Sequence, residues 1–116
     1  MKIFKLGDFT FLNPKEDIVS LEKIDEYKTR IKLVTNSIFV ANENIKTIIR
    51  DLSACNVNLI EVQPKHESGN RFINVKNILY IVDIEGHTNL ELKGGNERIS
   101  CRDSLESIMY KLQYIH

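Results

Sequence analysis

Apolar residues alternate with polar ones through most of this chain, and twice the spacing changes to that of a helix. Ile3, Leu6, Phe9 and Phe11 flank Gly7-Asp8, a pair suited to a two-residue turn, so Met1 to Leu12 is predicted to be a hairpin. The polar run Asn13 to Asp17 contains Pro14 and interrupts the ladder. Strands are expected over Ile18–Ile24 and Tyr27–Leu33, the second with Thr29, Ile31 and Leu33 on one face and Lys28, Arg30 and Lys32 on the other. A short strand over Ser37–Ala41 precedes Asn44, whose side chain is suited to cap a helix carrying Ile45, Ile48, Ile49 and Leu52. Val57–Val62 is a further strand, ended by Pro64 and the turn-forming loop Lys65 to Asn70.

The scheme then repeats. Strands are expected over Arg71–Val75, Ile78–Ile84, Thr88–Lys93 and Arg98–Cys101, with turns at Glu85-Gly86 and Gly94-Gly95. Ser104 is placed to cap a helix carrying Leu105, Ile108, Met109 and Leu112. With short gaps, residues 11–52 align with residues 72–112. Phe11, Asn13, Lys15, Ile18, Thr29, Leu33, Asn36, Ile48 and Leu52 meet Phe72, Asn74, Lys76, Ile78, Thr88, Leu92, Asn96, Ile108 and Leu112. Self-similarity at a fixed period marks repeated supersecondary units. Units of this size cannot bury a sheet face alone, so residues 1–116 are expected to form a single domain. Its predicted class is α+β, mainly antiparallel β, with two related strand-strand-strand-helix units sharing one core.

Composition narrows the function. Sixteen Lys and Arg balance sixteen Asp and Glu, so there is no bulk positive field to attract nucleic acid or anionic lipid. No apolar run is long enough for a membrane span, and Met1 to Thr10 alternates where a signal peptide would be uniformly apolar, which predicts a cytoplasmic protein with no membrane partner. Two cysteines are too few for a disulfide framework and lack metal or redox spacing. His66, His87 and His116 are scattered over a loop, a turn and the C-terminal end, so no metal site is expected. Cys101 beside Arg102 could be an activated thiol, but it shares a strand face with Ile99 and is better read as core. Asp83 and Glu85 flank a glycine turn with nothing to orient a substrate, and Gly94-Gly95 is a turn and not a phosphate cradle. No catalytic residue and no cofactor are expected, and the chain reads as a non-enzyme.

Residues 11–52 and 71–112 together resemble the LytTR type of DNA-binding domain. The first half matches its apolar strand, hairpin and helix, and RFINVKNILYI matches its "RSfiVN" strand. Each unit alone also resembles the short FlbD-like flagellar proteins. The resemblance implies an elongated, mainly antiparallel β domain whose loops enter successive major grooves of double-stranded DNA. It places Arg71, Asn74 and Arg102 on family positions for DNA contact and His66 near the family's histidine, although the HRS tripeptide itself is absent. Lys28, Arg30 and Lys32 form a basic stripe that could add phosphate contacts. No receiver or sensor segment stands upstream, so signal input is expected to come from a partner or to be missing. Zero net charge keeps a second expectation open, a protein-interaction module such as an adaptor or mobile-element protein. Homodimerisation through edge strands is compatible with both. A gathered basic surface would favour DNA; an exposed apolar edge would favour a protein partner.

Overall fold

The computed structural model describes residues 3–95 and 97–114. The start of the predicted first hairpin, the Asn96 half of the Asn36 match and His116 lie outside the described residues. The chain runs β1 (Phe4–Leu6), β2 (Phe9–Phe11), α1 (Pro14–Asp17), β3 (Ile18–Asp25), β4 (Lys28–Leu33), β5 (Ile38–Ala41), α2 (Ile45–Ala54) and β6 (Leu59–Val62). It continues through β7 (Arg71–Asn74), a 3-10 turn (Val75–Asn77), β8 (Ile78–Ile84), β9 (His87–Leu92), β10 (Glu97–Cys101) and α3 (Leu105–Gln113). The class is α+β, and all paired strands are antiparallel.

Both units share one plan: a two-strand hairpin, a helical turn, a three-strand meander and a capped helix. The helical turn after the first hairpin was not expected from its polar sequence. Pro14 opens it with φ already set, and Glu16 and Asp17 lie in its first turn, so local chemistry suffices for one turn. Gly7, at φ 59°, supplies the backbone shape of the first hairpin turn.

The two units are joined through a central five-stranded sheet ordered β5-β4-β3-β7-β6, in which the second hairpin extends the first meander. Two side-chain clusters fill its two faces. Phe4, Leu6 and Phe11 of the first hairpin pack with Ile18, Leu21, Ile31 and the α2 residues Ile45, Ile48 and Leu52 on one side. Leu90, Leu92, Ile99 and Cys101 of the sheet β10-β9-β8 pack with Val19, Ile60, Val62, Ile73 and Ile108 of α3 on the other. The shared core is thus two interlayer clusters on either side of one sheet. Stacking three layers gives an elongated body of 43 × 29 × 25 Å. Among the described residues no helix is long and apolar enough to cross a membrane.

Two buried asparagines tie the helical turns together. Asn74 donates through Nδ2 to the carbonyls of Lys15 (2.9 Å) and Ile18 (2.7 Å), while its Oδ1 accepts from the Lys76 amide at 3.2 Å. Asn77 donates to the carbonyls of Glu16 (3.1 Å) and Ile18 (2.6 Å). These are the carbonyls a short helix leaves unpaired at its end.

Candidate nucleic-acid interface

Strand direction decides which loops meet. β3 pairs with β7 in the register Ser20↔Ile73, Leu21↔Phe72, Glu22↔Arg71, so the β3–β4 turn and the β6–β7 loop lie at the same end of the central sheet. The same loop reaches the third sheet. Pro64 bridges to Cys101, the Lys65 amide donates to the Ser100 carbonyl at 2.7 Å, and the Arg102 amide donates to the Gln63 carbonyl at 2.8 Å. The β6–β7 loop therefore brings the β3–β4 turn and the β10–α3 corner together at one end of the molecule. An open groove of about 480 Å³ runs along the loop, lined by Lys23, Arg30, His66, Ser68, Gly69 and Arg71 with Glu22 and Glu67.

The predicted basic residues separate into two groups here. Lys28, His66 and Arg102 are exposed, with no ion pair among the described residues, and the Arg102 guanidinium donates to the Lys65 carbonyl at 3.3 Å. Lys23, also exposed and without an ion pair among the described residues, joins them on the turn side. Lys65 is half-buried and sits 2.8 Å from His87 Nε2.

Arg30, Lys32 and Arg71 do gather, but around carboxylates. The Arg71 guanidinium meets Glu67 at 2.6 Å, Glu22 at 3.3 Å and Glu97 at 3.5 Å. Lys32 meets Glu97 at 2.7 Å and Arg30 meets Glu22 at 2.5 Å. Three cations thus face three acids. Burial alone would lower the affinity of Arg71 for its proton, but the hydrogen bond to Glu67 and the charges of Glu67, Glu97 and Glu22 outweigh it and raise its pKa. A bidentate, half-buried guanidinium of this kind organises a structure.

Three expectations are corrected. Lys32 is buried because the meander face taken for open is covered by the third sheet, whose Glu97 neutralises it. Asn74 is buried with both side-chain ends already bonded, so it cannot reach a base edge. Its identity at the end of a strand is explained by capping the turn that follows. Arg71 is likewise committed to its three acids. Lys23, which the sequence did not single out, lines the same groove as His66 only through long-range strand pairing, which leaves no local signal.

The remaining reactive side chains are quiet. Cys101 is fully buried, and burial together with the Asp103 charge pushes its thiol up to about 11. Cys55 and Cys101 are both free thiols. Among the described residues no group of three His, Cys, Asp or Glu side chains is placed to hold a metal ion. Compared with family models, curated proteins and solved structures, the chain finds no match.

Proposed function

We propose that this chain is a small non-enzymatic DNA-binding regulator of LytTR type, acting in the cytoplasm through the end of the molecule built around the β6–β7 loop. The observation that carries the reading is the convergence of three connections there, presenting exposed Lys23, Lys28, His66 and Arg102 without carboxylate partners among the described residues. Loops carried on rigid sheets suit groove entry, because the sheets fix their spacing while the side chains adapt. The elongated antiparallel body fits the shape the LytTR resemblance implies. Arg30, Lys32 and Arg71 support this end from within and are not assigned phosphates.

A gel-shift titration against a pool of AT-rich duplexes at low and moderate salt tests the reading. Lys28→Ala and Arg102→Ala are expected to weaken binding and to flatten the salt dependence by about one counterion each, with folding unchanged. Absence of binding at low salt by folded protein would overturn it. A protein-interaction module is the second reading, favoured by one observation: β8 is an edge strand exposing Leu79, Tyr80 and Ile84.

A further inference from the structure

The junction between the two units is a strand pairing, and its two halves recur unfilled elsewhere on the molecule. At the filled junction β7 lies along the outer edge of β3, and Leu21 and Ile73 are completely buried, with Ser20 nearly so. The repeat carries β3 onto β8 and β7 onto β2. Matching Ile18 with Ile78 places Ser20, Leu21 and Glu22 at Tyr80, Ile81 and Val82. The strand registers agree, since Leu21 lies opposite Ile31 and Ile81 opposite Leu90, each two residues beyond the matched threonines Thr29 and Thr88. Matching Phe11 with Phe72 places Arg71 and Ile73 at Thr10 and Leu12.

Both halves are open. β8 ends the sheet β10-β9-β8, β2 pairs only with β1, and among the described residues neither makes a backbone bond across its outer edge. Leu12, matching the buried Ile73, is 59% exposed, and Tyr80, matching the buried Ser20, is 56% exposed. The β8 sequence ILYIVDI carries neither lysine nor proline and a single charge, Asp83. Its one irregularity, a register shift between Ile78 and Tyr80, has its counterpart between Ile18 and Ser20 of β3, which pairs with β7 all the same. The two halves cannot meet within one chain, because the first hairpin and the third sheet pack on opposite faces of the central sheet.

We infer that β2 of one copy docks antiparallel on β8 of a second copy, reproducing between molecules the β7–β3 junction found within each. The register places Thr10 opposite Val82, Phe11 opposite Ile81 and Leu12 opposite Tyr80. The pairing uses the backbone of Phe11, leaving its ring in the core. Because the two surfaces differ, the contact is head-to-tail and each copy keeps one open half.

Sedimentation velocity over a concentration series tests this without nucleic acid, so its outcome is independent of DNA binding. The native chain is expected to gain mass with concentration. Leu12→Lys and Tyr80→Lys, both at exposed positions, should each be monomeric with an unchanged circular-dichroism spectrum. Their equimolar mixture should recover a dimer and nothing larger, since each variant retains the half the other lacks. Cysteines introduced as Thr10→Cys and Val82→Cys in separate chains should cross-link on mixing. A native chain that stays monomeric, a Leu12→Lys variant that still dimerises, or Val82→Cys cross-linking to itself would overturn the proposal, the last two pointing to β8 pairing with β8.

Discussion

The two units share a hydrophobic pattern yet bury it unequally, and the difference lies in what each is packed against. In α2, Ile45, Ile48 and Leu52 are all buried, under a lid completed by Phe4, Leu6 and Phe11 of the first hairpin. In α3 the matching stripe buries Ile108 alone; Leu105 and Leu112 are half-buried and Met109 is 44% exposed. The second hairpin is not free to form such a lid, because β7 is committed to β3. Period and composition specify a helix. How much stabilisation it returns depends on the layer that closes over it.

Leucines at matched positions give this contrast its largest measurable effect. Leu52 is completely buried, so Leu52→Ala should cost about 2–5 kcal/mol in denaturant unfolding, the lost transfer energy plus a cavity. Leu112→Ala removes the same atoms from a half-buried site and should cost about 1 kcal/mol. Equal losses would mean that the helices are packed alike.

The matched asparagines come next. Asn74→Ala strips two donors from carbonyls buried between the units and should cost about 2–3 kcal/mol. Asn13 is exposed and makes no capping bond through its side chain, so Asn13→Ala should stay within about 0.5 kcal/mol in the same unfolding measurement. A comparable loss at Asn13 would show that the asparagine serves the local turn and not the union of the units.

Smaller again is the contrast between the two meander turns. Gly94, at φ 91°, sits so close to the first unit that an added Cβ would lie 3.1 Å from the Leu33 carbonyl oxygen, a backbone atom with little room to yield. Gly94→Ala should therefore cost about 1–3 kcal/mol from backbone strain and crowding. Asn36 reaches a similar shape at φ 68°, and Asn36→Gly should change stability by less than about 0.5 kcal/mol by thermal unfolding.

These pairs also mark what the sequence made legible. Strand and helix positions were readable because period-two and i, i+3, i+4 spacing are local, and the Asn44 and Ser104 caps appear where their residue types require. The order of strands across the central sheet was not, because β3 pairing with β7 joins residues about fifty positions apart and leaves no periodic trace. The same blindness hid the surroundings of two candidate residues. Lys32 looks solvent-facing as long as the meander has an open face, and becomes buried once Glu97 is folded over it. Asn74 fits a family contact position, but the same strand-end location suits a cap, and only the carbonyls of Lys15 and Ile18 reveal which role it serves. Lys28 at the turn end of β4, and His66 and Arg102 in connections, kept their exposure because that end lies outside the stacked layers.

The smallest effect at neutral pH belongs to a core position where the units differ in chemistry. Ala41 ends the meander of the first unit and Cys101 that of the second, and both are buried. Burial and Asp103 disfavour the thiolate, raising the folded pKa from 9.0 to about 11. An acid whose pKa is raised by folding stays neutral longer in the native state. Its stabilising contribution is therefore complete below pH 9 and is lost as pH climbs towards 11, where the unfolded chain has already released the proton. Unfolding free energy should fall over that interval in the native chain, and Cys101→Ala, which copies the first unit, should flatten the fall. The quantity to compare is the difference between the two curves, in which everything common to both chains cancels. A difference that does not change with pH would mean that the buried thiol ionises as freely as an exposed one, and would remove the electrostatic account of its inertness.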